Sequence, residues 1–484
     1  MAETLQVQLV SRCREPAHSK VPSSLFSVPI SSTRYALSEL VNVLLSLEPA
    51  VPFDFMIDGT FLRTTLEGYV LESKGTLSAE TVLVIEYTEA LARPQPDVLE
   101  NQDDWIADLA IGATKFLPKA FQVKGKGGRK ARANNALPFL ASASYDGLVR
   151  IRPLREDGAY ASDAAPLIAA GHKAAVKAVA VSGSTLVSAG RDHGVALYEL
   201  DPTKPHARST SKGVVLPSAT GAHDDTVESV AFHPLGMTFI TGAWDGKVQV
   251  YNASIAAAVE AAASSATAGG DDDDGRPAKR AKSGKAAASL ADPAPLSPLI
   301  TLEGHTGAVT TALFENFGDG TNALSASWDH SLRVWDVPSG ANATIIATET
   351  AVLDIGLCSA PSSSATLTAH AGPVVRLWDF RTQDPASAKF KGHGGFVPAV
   401  AWMPGSAVHF ATAAHDGKVR VWDIRSPSIP LYSVAVHSDK VFSLAWLSET
   451  VILTGSADCT VSRVVLGDGL SVQPMAVASN IDSE

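Results

Sequence analysis

Cysteine is scarce in this sequence. Cys13, Cys358 and Cys459 stand far apart in 484 positions and form no CxxC pair, so neither a disulfide framework nor a zinc signature is present, and a reducing compartment is implied. Charge is also sparse, 18% of residues against a usual ~25%. No uninterrupted apolar run approaches the roughly 18 residues that span a bilayer, so a soluble chain with no membrane segment is predicted. The amino terminus, MAETLQVQLV, lacks the basic stretch and apolar run of a secretory signal, and the sequons at Asn252 and Asn342 then carry no meaning. Positive charge is not in excess either. The net charge of −11 excludes a surface broadly attractive to nucleic acid or anionic membrane, while leaving room for local basic patches.

What the chain does have is length and repetition. At 484 residues it exceeds a single small domain, and its 37 glycines and 28 prolines are close to average usage, so it buries a real core. Seven segments align: SASYDGLVRIR, SAGRDHGVALY, TGAWDGKVQVY, SASWDHSLRVW, TAHAGPVVRLW, TAAHDGKVRVW and TGSADCTVSRV. Their turn positions are Asp146, Asp192, Asp245, Asp329, Gly372, Asp416 and Asp458, spaced by 46, 53, 84, 43, 44 and 42 residues. Each segment reads as two short strands around a turn, with Asp-Gly at the turn in three copies, a strong hairpin signal. A hydroxyl stands four positions before each turn residue. Six positions after it comes Tyr198, Tyr251, Trp335, Trp378 or Trp422, replaced by Arg152 and Val464 in the first and last copies. A histidine precedes five copies, as His172, His223, His305, His393 and His437.

This pattern resembles a WD-repeat β-propeller, and Trp335-Asp336, Trp378-Asp379 and Trp422-Asp423 carry the family's ending in full. Turn Asp, loop His, strand hydroxyl and aromatic are the partners of a hydrogen-bonded chain tying outer strands to inner ones. A Ser-His-Asp hydrolase is the competing interpretation of those residues. It fails because the same trio recurs in several blades as a fold signature, so neither an enzyme nor a cofactor is expected. The first copy lacks the upstream histidine and the fifth lacks histidine and turn Asp, which predicts weaker ties in those blades. The strand closing the ring is left open between Leu470–Val477 and residues near 98–104.

Residues 1–92 stand outside the repeat. Strands are predicted at Leu5–Val10, Leu25–Ile30, Phe53–Ile57 (running into an Asp58-Gly59 turn) and Thr81–Tyr87, with a helix over Tyr35–Leu47 whose apolar residues share one face. That order resembles a ubiquitin-like fold, without the terminal Gly-Gly needed for conjugation. The expected class is therefore mainly β: a seven-bladed propeller over 101–484 preceded by a small α+β ubiquitin-like domain over 1–92, with 93–100 as linker. The strings RYALSELVNVLL, VPFDFMIDGTFLRTTL and LSAETVLVIEYTEA are similar to the amino-terminal domain shared by Notchless and the WD-repeat factors of large-subunit ribosome assembly. Seven copies rather than eight favour the latter family.

That resemblance implies a non-enzymatic scaffold of pre-60S maturation and rRNA processing in the nucleolus and nucleoplasm. Its implied partners are a block-of-proliferation-type propeller protein, a pescadillo-type protein and the AAA ATPase midasin. It also implies that Glu80 offers its carboxylate in trans to midasin's metal site, where a hard divalent cation with an open position takes oxygen. The alternative for Glu80 is a solvated loop carboxylate. A different class, a substrate-recognition adaptor in a ubiquitin-related pathway, fits the same two folds. Residues 1–92 hold 11 acidic and 6 basic residues, a balance of −5 that suits either steering toward a cationic site or plain solubility.

The 84-residue gap holds an insertion at about 254–298, in which Lys279, Arg280 and Lys282, with Arg276 and Lys285, read as a nuclear localisation signal or as a solvated linker. A second basic run, 124–132, reads as an rRNA contact or as a hairpin extension; with no GxxxxGK[ST] pattern it is no phosphate cradle. The residue before each turn Asp is expected on one loop face. Tyr145, Arg191, Trp244, Trp328 and His415 hold that position and are the predicted protein contact, large aromatics being frequent hot spots.

Overall fold

The computed structural model describes residues 4–12, 21–22, 24–47, 51–57, 60–62, 65–72, 82–89, 94–114, 137–161, 165–201, 214–256, 293–315, 321–358, 365–379 and 386–466. The chain divides into two compact units, residues 1–95 forming most of the first and residues 96–421 with 433–465 forming the second.

In the first unit the elements are β1 (Thr4–Ser11), β2 (Leu25–Pro29), α1 (Arg34–Leu45), β3 (Phe53–Ile57), β4 (Thr60–Phe61), α2 (Leu66–Glu72) and β5 (Val82–Glu89). The sheet order is β2-β1-β5-β3-β4, with β1 and β5 parallel. Alternation in β1 puts Leu5, Val7 and Leu9 inside, where they meet Leu37 and Val41 of α1, and Phe53, Phe55, Ile85 and Tyr87. Thr33 caps α1, its Oγ1 accepting from Ala36 N–H at 3.4 Å, and Ser46 ends the helix in the left-handed region at φ 52°. Inside, Ser38 Oγ accepts the Phe53 N–H at 2.9 Å, fixing helix to sheet. The short α2 and β4 are additions to the sequence prediction. The Asp58-Gly59 turn and Glu80 lie outside the described residues.

The second unit contains seven sheets arranged as blades, each built from a repeat copy. In the fourth blade the strands run from Val309–Phe314 through Asn322–Ser327 and Ser331–Asp336 to the outer Ala341–Ala347. The hairpin turn explains the Asp-Gly preference. The residue after the turn Asp has positive φ in six blades: Gly147, Gly246 and Gly417 at 85°, 76° and 72°, and His193, His330 and Cys459 at 62°, 63° and 64°.

Ring closure settles the open choice and corrects the linker. Residues 93–100 are not a linker over their length, because Gln95–Asn101 is a strand, β6, hydrogen-bonded to Thr460–Val465 as the outer strand of the seventh blade. That blade's own segment supplies three strands among the described residues, and the edge they leave is filled from the amino-terminal side. Leu470–Val477 lies outside the described residues.

Neighbouring blades are joined at their inner strands by two half-buried acids. Asp108 Oδ1 accepts from Ser443 Oγ of the seventh blade at 2.9 Å, and Oδ2 accepts from Val179 N–H of the second at 3.0 Å. Asp354 of the fifth blade accepts from Thr311 Oγ1 of the fourth at 3.3 Å and from Val400 N–H of the sixth at 2.9 Å. Burial outweighs these donors, raising the Asp108 carboxyl and pushing Asp354 up to about 7.

Candidate functional site

The loop histidines sit between the turn Asp and the strand hydroxyl. In the fourth blade His305 Nδ1 is 2.9 Å from Asp329 Oδ2, Nε2 is 2.7 Å from Ser325 Oγ, and Trp335 Nε1–H donates to that oxygen at 2.7 Å. His172 bridges Asp192 (2.9 Å) and Ser188 (2.7 Å), and His223 bridges Asp245 (3.1 Å) and Thr241 (2.7 Å). His393 bridges Asp416 (3.2 Å) and Thr412 (2.7 Å), and His437 bridges Asp458 (3.0 Å) and Thr454 (2.8 Å). Burial lowers the pKa of His223, His305 and His437, and takes His393 down to about 4, so these rings are neutral. A neutral ring donates from Nδ1 to the carboxylate and accepts at Nε2. The histidine bond in turn helps to hold Asp192 and Asp329 at about 2, against burial that raises them. Ser325, Ser188 and Thr241 have no exposed surface, so these trios offer no nucleophile to a substrate.

The two deviant blades, for which the sequence predicts weaker ties, are tied by other residues. In the fifth, His370 comes from the second strand rather than the loop. Its Nε2 lies 2.9 Å from Thr368 Oγ1, which accepts the Trp378 Nε1–H at 2.6 Å, and its Nδ1 lies 3.2 Å from Thr350 Oγ1. In the first, Gln102 stands where the loop histidine would, donating to Ser142 Oγ at 2.7 Å, while Arg150 binds Asp146 at 2.7 Å and Asp103 at 3.0 Å. Arg152, in the aromatic's place, binds Glu100 of β6 at 2.6 Å, and Tyr160 O–H donates to the other Glu100 oxygen at 2.9 Å.

The residue before each turn position has one address in all seven blades. Tyr145, Arg191, Trp244, Trp328, Ala371, His415 and Ala457 donate their N–H to the carbonyl of Trp105, Ala175, Thr226, Ala308, Ala351, Phe396 and Lys440, each just before an inner strand begins. All seven therefore lie on one face. Trp244 and Trp328 are 43% and 48% exposed, Arg191 is exposed, and Tyr145 is half-buried.

Part of this set joins a continuous row across five blades. Phe396 lies tilted against His415 (5.7 Å between centroids), His415 meets Phe442 edge-on (5.7 Å), Phe442 adjoins Trp105 (5.8 Å), and Trp105 meets Tyr145 edge-on (5.4 Å). Lys177 Nζ then donates to Tyr145 OH at 2.9 Å and pairs with Glu228 at 2.8 Å, and Glu228 accepts the Trp244 Nε1–H at 3.1 Å. The hairpin alignment missed Trp105, Phe396, Phe442, Lys177 and Glu228. They lie at the start of inner strands, and an alignment anchored there would have shown them. Glu80, residues 124–132, and Lys279, Arg280 and Lys282 lie outside the described residues.

A ubiquitin-like unit with a seven-bladed propeller carrying Asp-His-Ser/Thr-aromatic ties defines the class, and the comparisons agree with it. Residues 5–70 match the NLE (NUC135) domain, and residues 216–252, 296–336, 386–423 and 428–462 match the WD domain, G-beta repeat. The crystal structure of the WD40 β-propeller domain of Doa1 is similar over 76% of this chain and 95% of that one, at 16% identity and a TM-score of 0.50, which supports the fold. A ribosome biogenesis protein WDR12 homolog of Chlamydomonas reinhardtii is 34% identical over 95% of this chain and 97% of its own length. A WDR12 homolog of Arabidopsis thaliana is 27% identical with 98% of each covered, and ribosome biogenesis protein YTM1 of Ajellomyces capsulatus is 30% identical over 92% of this chain and 89% of its own. The chain belongs to this WDR12/YTM1 family of ribosome biogenesis proteins.

Proposed function

We propose that the protein is a non-enzymatic scaffold of pre-60S maturation, acting in the nucleolus and nucleoplasm, whose propeller docks a block-of-proliferation-type assembly factor through the face bearing Trp105, Tyr145, Arg191, Trp244, Trp328 and His415. The row of rings and charges running across that face from Phe396 to Trp244 carries this reading, together with family membership. Such a row combines large rigid apolar area with fixed polar ends, the composition of binding hot spots. In the same reading residues 1–92 form the domain that midasin engages, Glu80 being the carboxylate given to its metal, and 124–132 touches rRNA. A pescadillo-type protein belongs to the same complex through the docked partner.

The test is a pair of variants in the full chain. Trp244→Ala with Trp328→Ala loses the partner while the chain still folds. Glu80→Ala keeps the partner and enters pre-60S particles, then stays on them. Undiminished partner binding by the first variant, or normal release of the second, overturns the corresponding half of the proposal.

A further inference from the structure

The residue that follows each loop histidine occupies a fixed place. Its N–H donates to the turn Asp, as Asp224 does to Asp245 at 3.2 Å in the third blade and Gly394 to Asp416 at 3.0 Å in the sixth. Asp103 and Glu349 hold that place in the first and fifth blades, three positions before the inner strands open at Ile106 and Val352. An acid here is met each time by a cation from the third strand of its own blade. Asp103 binds Arg150 at 3.0 Å, Glu349 binds Arg376, and Asp224 binds Lys247 at 2.7 Å. The arginines stand four positions after the turn residue and the lysine two.

The sixth blade has both cations and no acid. Lys418 and Arg420 stand two and four positions after Asp416, and the place of the acid is taken by Gly394. The Arg420 side chain is only 12% exposed, and the carboxylate nearest it, Asp416 at 3.9 Å, is already held by His393 and by the Gly394 and Lys418 N–H groups. Arg420 Nε is buried without a hydrogen-bond partner. Burial accordingly lowers the pKa of this guanidinium, with Asp416 opposing. A mostly buried charge is costly unless it is paired. The fourth blade, with Thr306 in the acid's place, meets the same need from within: the Asn342 amide, turned to face it, sets its oxygen 2.7 Å from Arg333 Nη1. Among the described residues no side chain does this for Arg420. The space beside it is open, since a Cβ on Gly394 would meet only Asp416, at 3.7 and 3.9 Å, and Gly394 and Lys418 are exposed.

We infer that this end of the sixth blade is a carboxylate-receiving site, where Arg420 and Lys418 take an aspartate or glutamate side chain of the protein docked on the loop face. The acids of three other blades show the arrangement such a ligand adopts. A planar guanidinium matches a carboxylate in two parallel bonds, and the lysine adds a second positive charge. The inference rests on the reading of that face given above and deepens it. Phe396 and His415, at the end of the row of rings, stand two positions after Gly394 and one before Asp416, so the site continues the row. Every loop of this face is described, and each break in the described residues from 115 onward follows an inner or a third strand, at the far end of its blade. The complementary charge is therefore sought on the docked protein.

The test follows the Arg420 Nε–H resonance of the full chain during titration with a capped hexaglutamate peptide, a capped hexaglutamine peptide and a uridine dodecamer. The glutamate peptide alone is expected to shift it. Gly394→Asp, which restores the acid of the first and third blades, abolishes that shift, and Gly394→Asn retains it. Lys418→Gln, at an exposed position, weakens binding of the glutamate peptide, a check should the glycine variants fold poorly. For the docked protein, Gly394→Asp lowers affinity about tenfold relative to Gly394→Asn. No shift with the glutamate peptide, an equal shift with glutamine, or a larger one with the dodecamer overturns the inference, the last by making phosphate the ligand. So does a shift produced without peptide by replacing Asp271–Asp274 with asparagine, which makes the chain's own insertion the occupant. The two readings fail separately: loss of docking in Trp244→Ala with Trp328→Ala, alongside equal affinity of Gly394→Asp and Gly394→Asn, removes this one alone.

Discussion

Arg152 Nη2 lies 2.6 Å from Glu100 Oε1, so the position that holds Tyr or Trp in five repeat copies is given, in the first blade, to the cation that grips the closing strand. The side chains are 17% and 11% exposed, and the guanidinium also lies over the Tyr160 ring at 5.0 Å. Removing one member of a mostly buried pair leaves the other charge uncompensated, at a cost of about 3 kcal/mol. Arg152→Leu is therefore expected to lower propeller stability by about that amount, and Arg152→Trp, which restores the repeat's consensus, should not rescue it. Urea unfolding followed by tryptophan fluorescence measures this; a loss below about 0.5 kcal/mol for Arg152→Leu would show that the seam is held elsewhere.

The fifth blade gives a second test of how departures are repaired. His370 connects Thr350 to Thr368 and, through that hydroxyl, to the Trp378 indole. His370→Ala should strip the tie and cost about 2 kcal/mol, similar to His305→Ala in the fourth blade. Were His370→Ala neutral while His305→Ala is costly, the strand histidine would not be a substitute for the loop one.

These two blades also mark the limit of what the sequence discloses. Six turns were legible because Asp followed by a left-handed residue is a local requirement of the hairpin, and the strand hydroxyl and aromatic keep fixed offsets from it. Gln102 was not legible as a histidine substitute, since its bond to Ser142 bridges 40 positions and no motif encodes it. The closing strand was narrowed to two candidates and no further, because edge pairing depends on which segment arrives in space. The row from Phe396 to Trp244 crosses blades, whereas repeat alignment compares positions within them. In the first unit the strands of alternating hydrophobicity and α1 were visible from their periodicity; α2, at seven residues, is too short to give one.

The pH dependence of stability has two opposing parts. His393 and His370 are held down to about 4 by burial, below their ordinary 6.5. Their contribution is complete above pH 6.5 and is lost as pH falls from 6.5 through 4. Asp354 runs the other way. With burial raising it from 3.8 to about 7, its contribution is complete below about pH 4 and is lost as pH rises through 7. Between pH 7 and 4 the acid thus offsets part of the histidine loss. Asp354→Asn should make the fall in melting temperature over that window steeper than in the parent, whatever its own absolute stability. An unchanged or shallower slope would place the Asp354 carboxyl in its ordinary range.

The partner face makes the last prediction, and it rests on residues that the repeat alignment did not select. Trp105 is 42% exposed and touches both Tyr145 and Phe442, so it joins the first blade's part of the row to the seventh's. Its removal breaks the row at the middle while leaving the inner-strand ladder intact. Trp105→Ala should weaken binding of the purified block-of-proliferation-type partner by about 2 kcal/mol, some thirtyfold in Kd, with little change in melting temperature. Phe396, 44% exposed at the row's end, should matter less, because hot spots cluster near the centre of an interface. Leu235, 76% exposed in the hairpin at the other end of the third blade's strands, is the control, and Leu235→Ser should leave affinity unchanged. Calorimetric titration of the three variants distinguishes the faces: equal losses for Trp105→Ala and Leu235→Ser, or none for Trp105→Ala, would move the docking surface off the row.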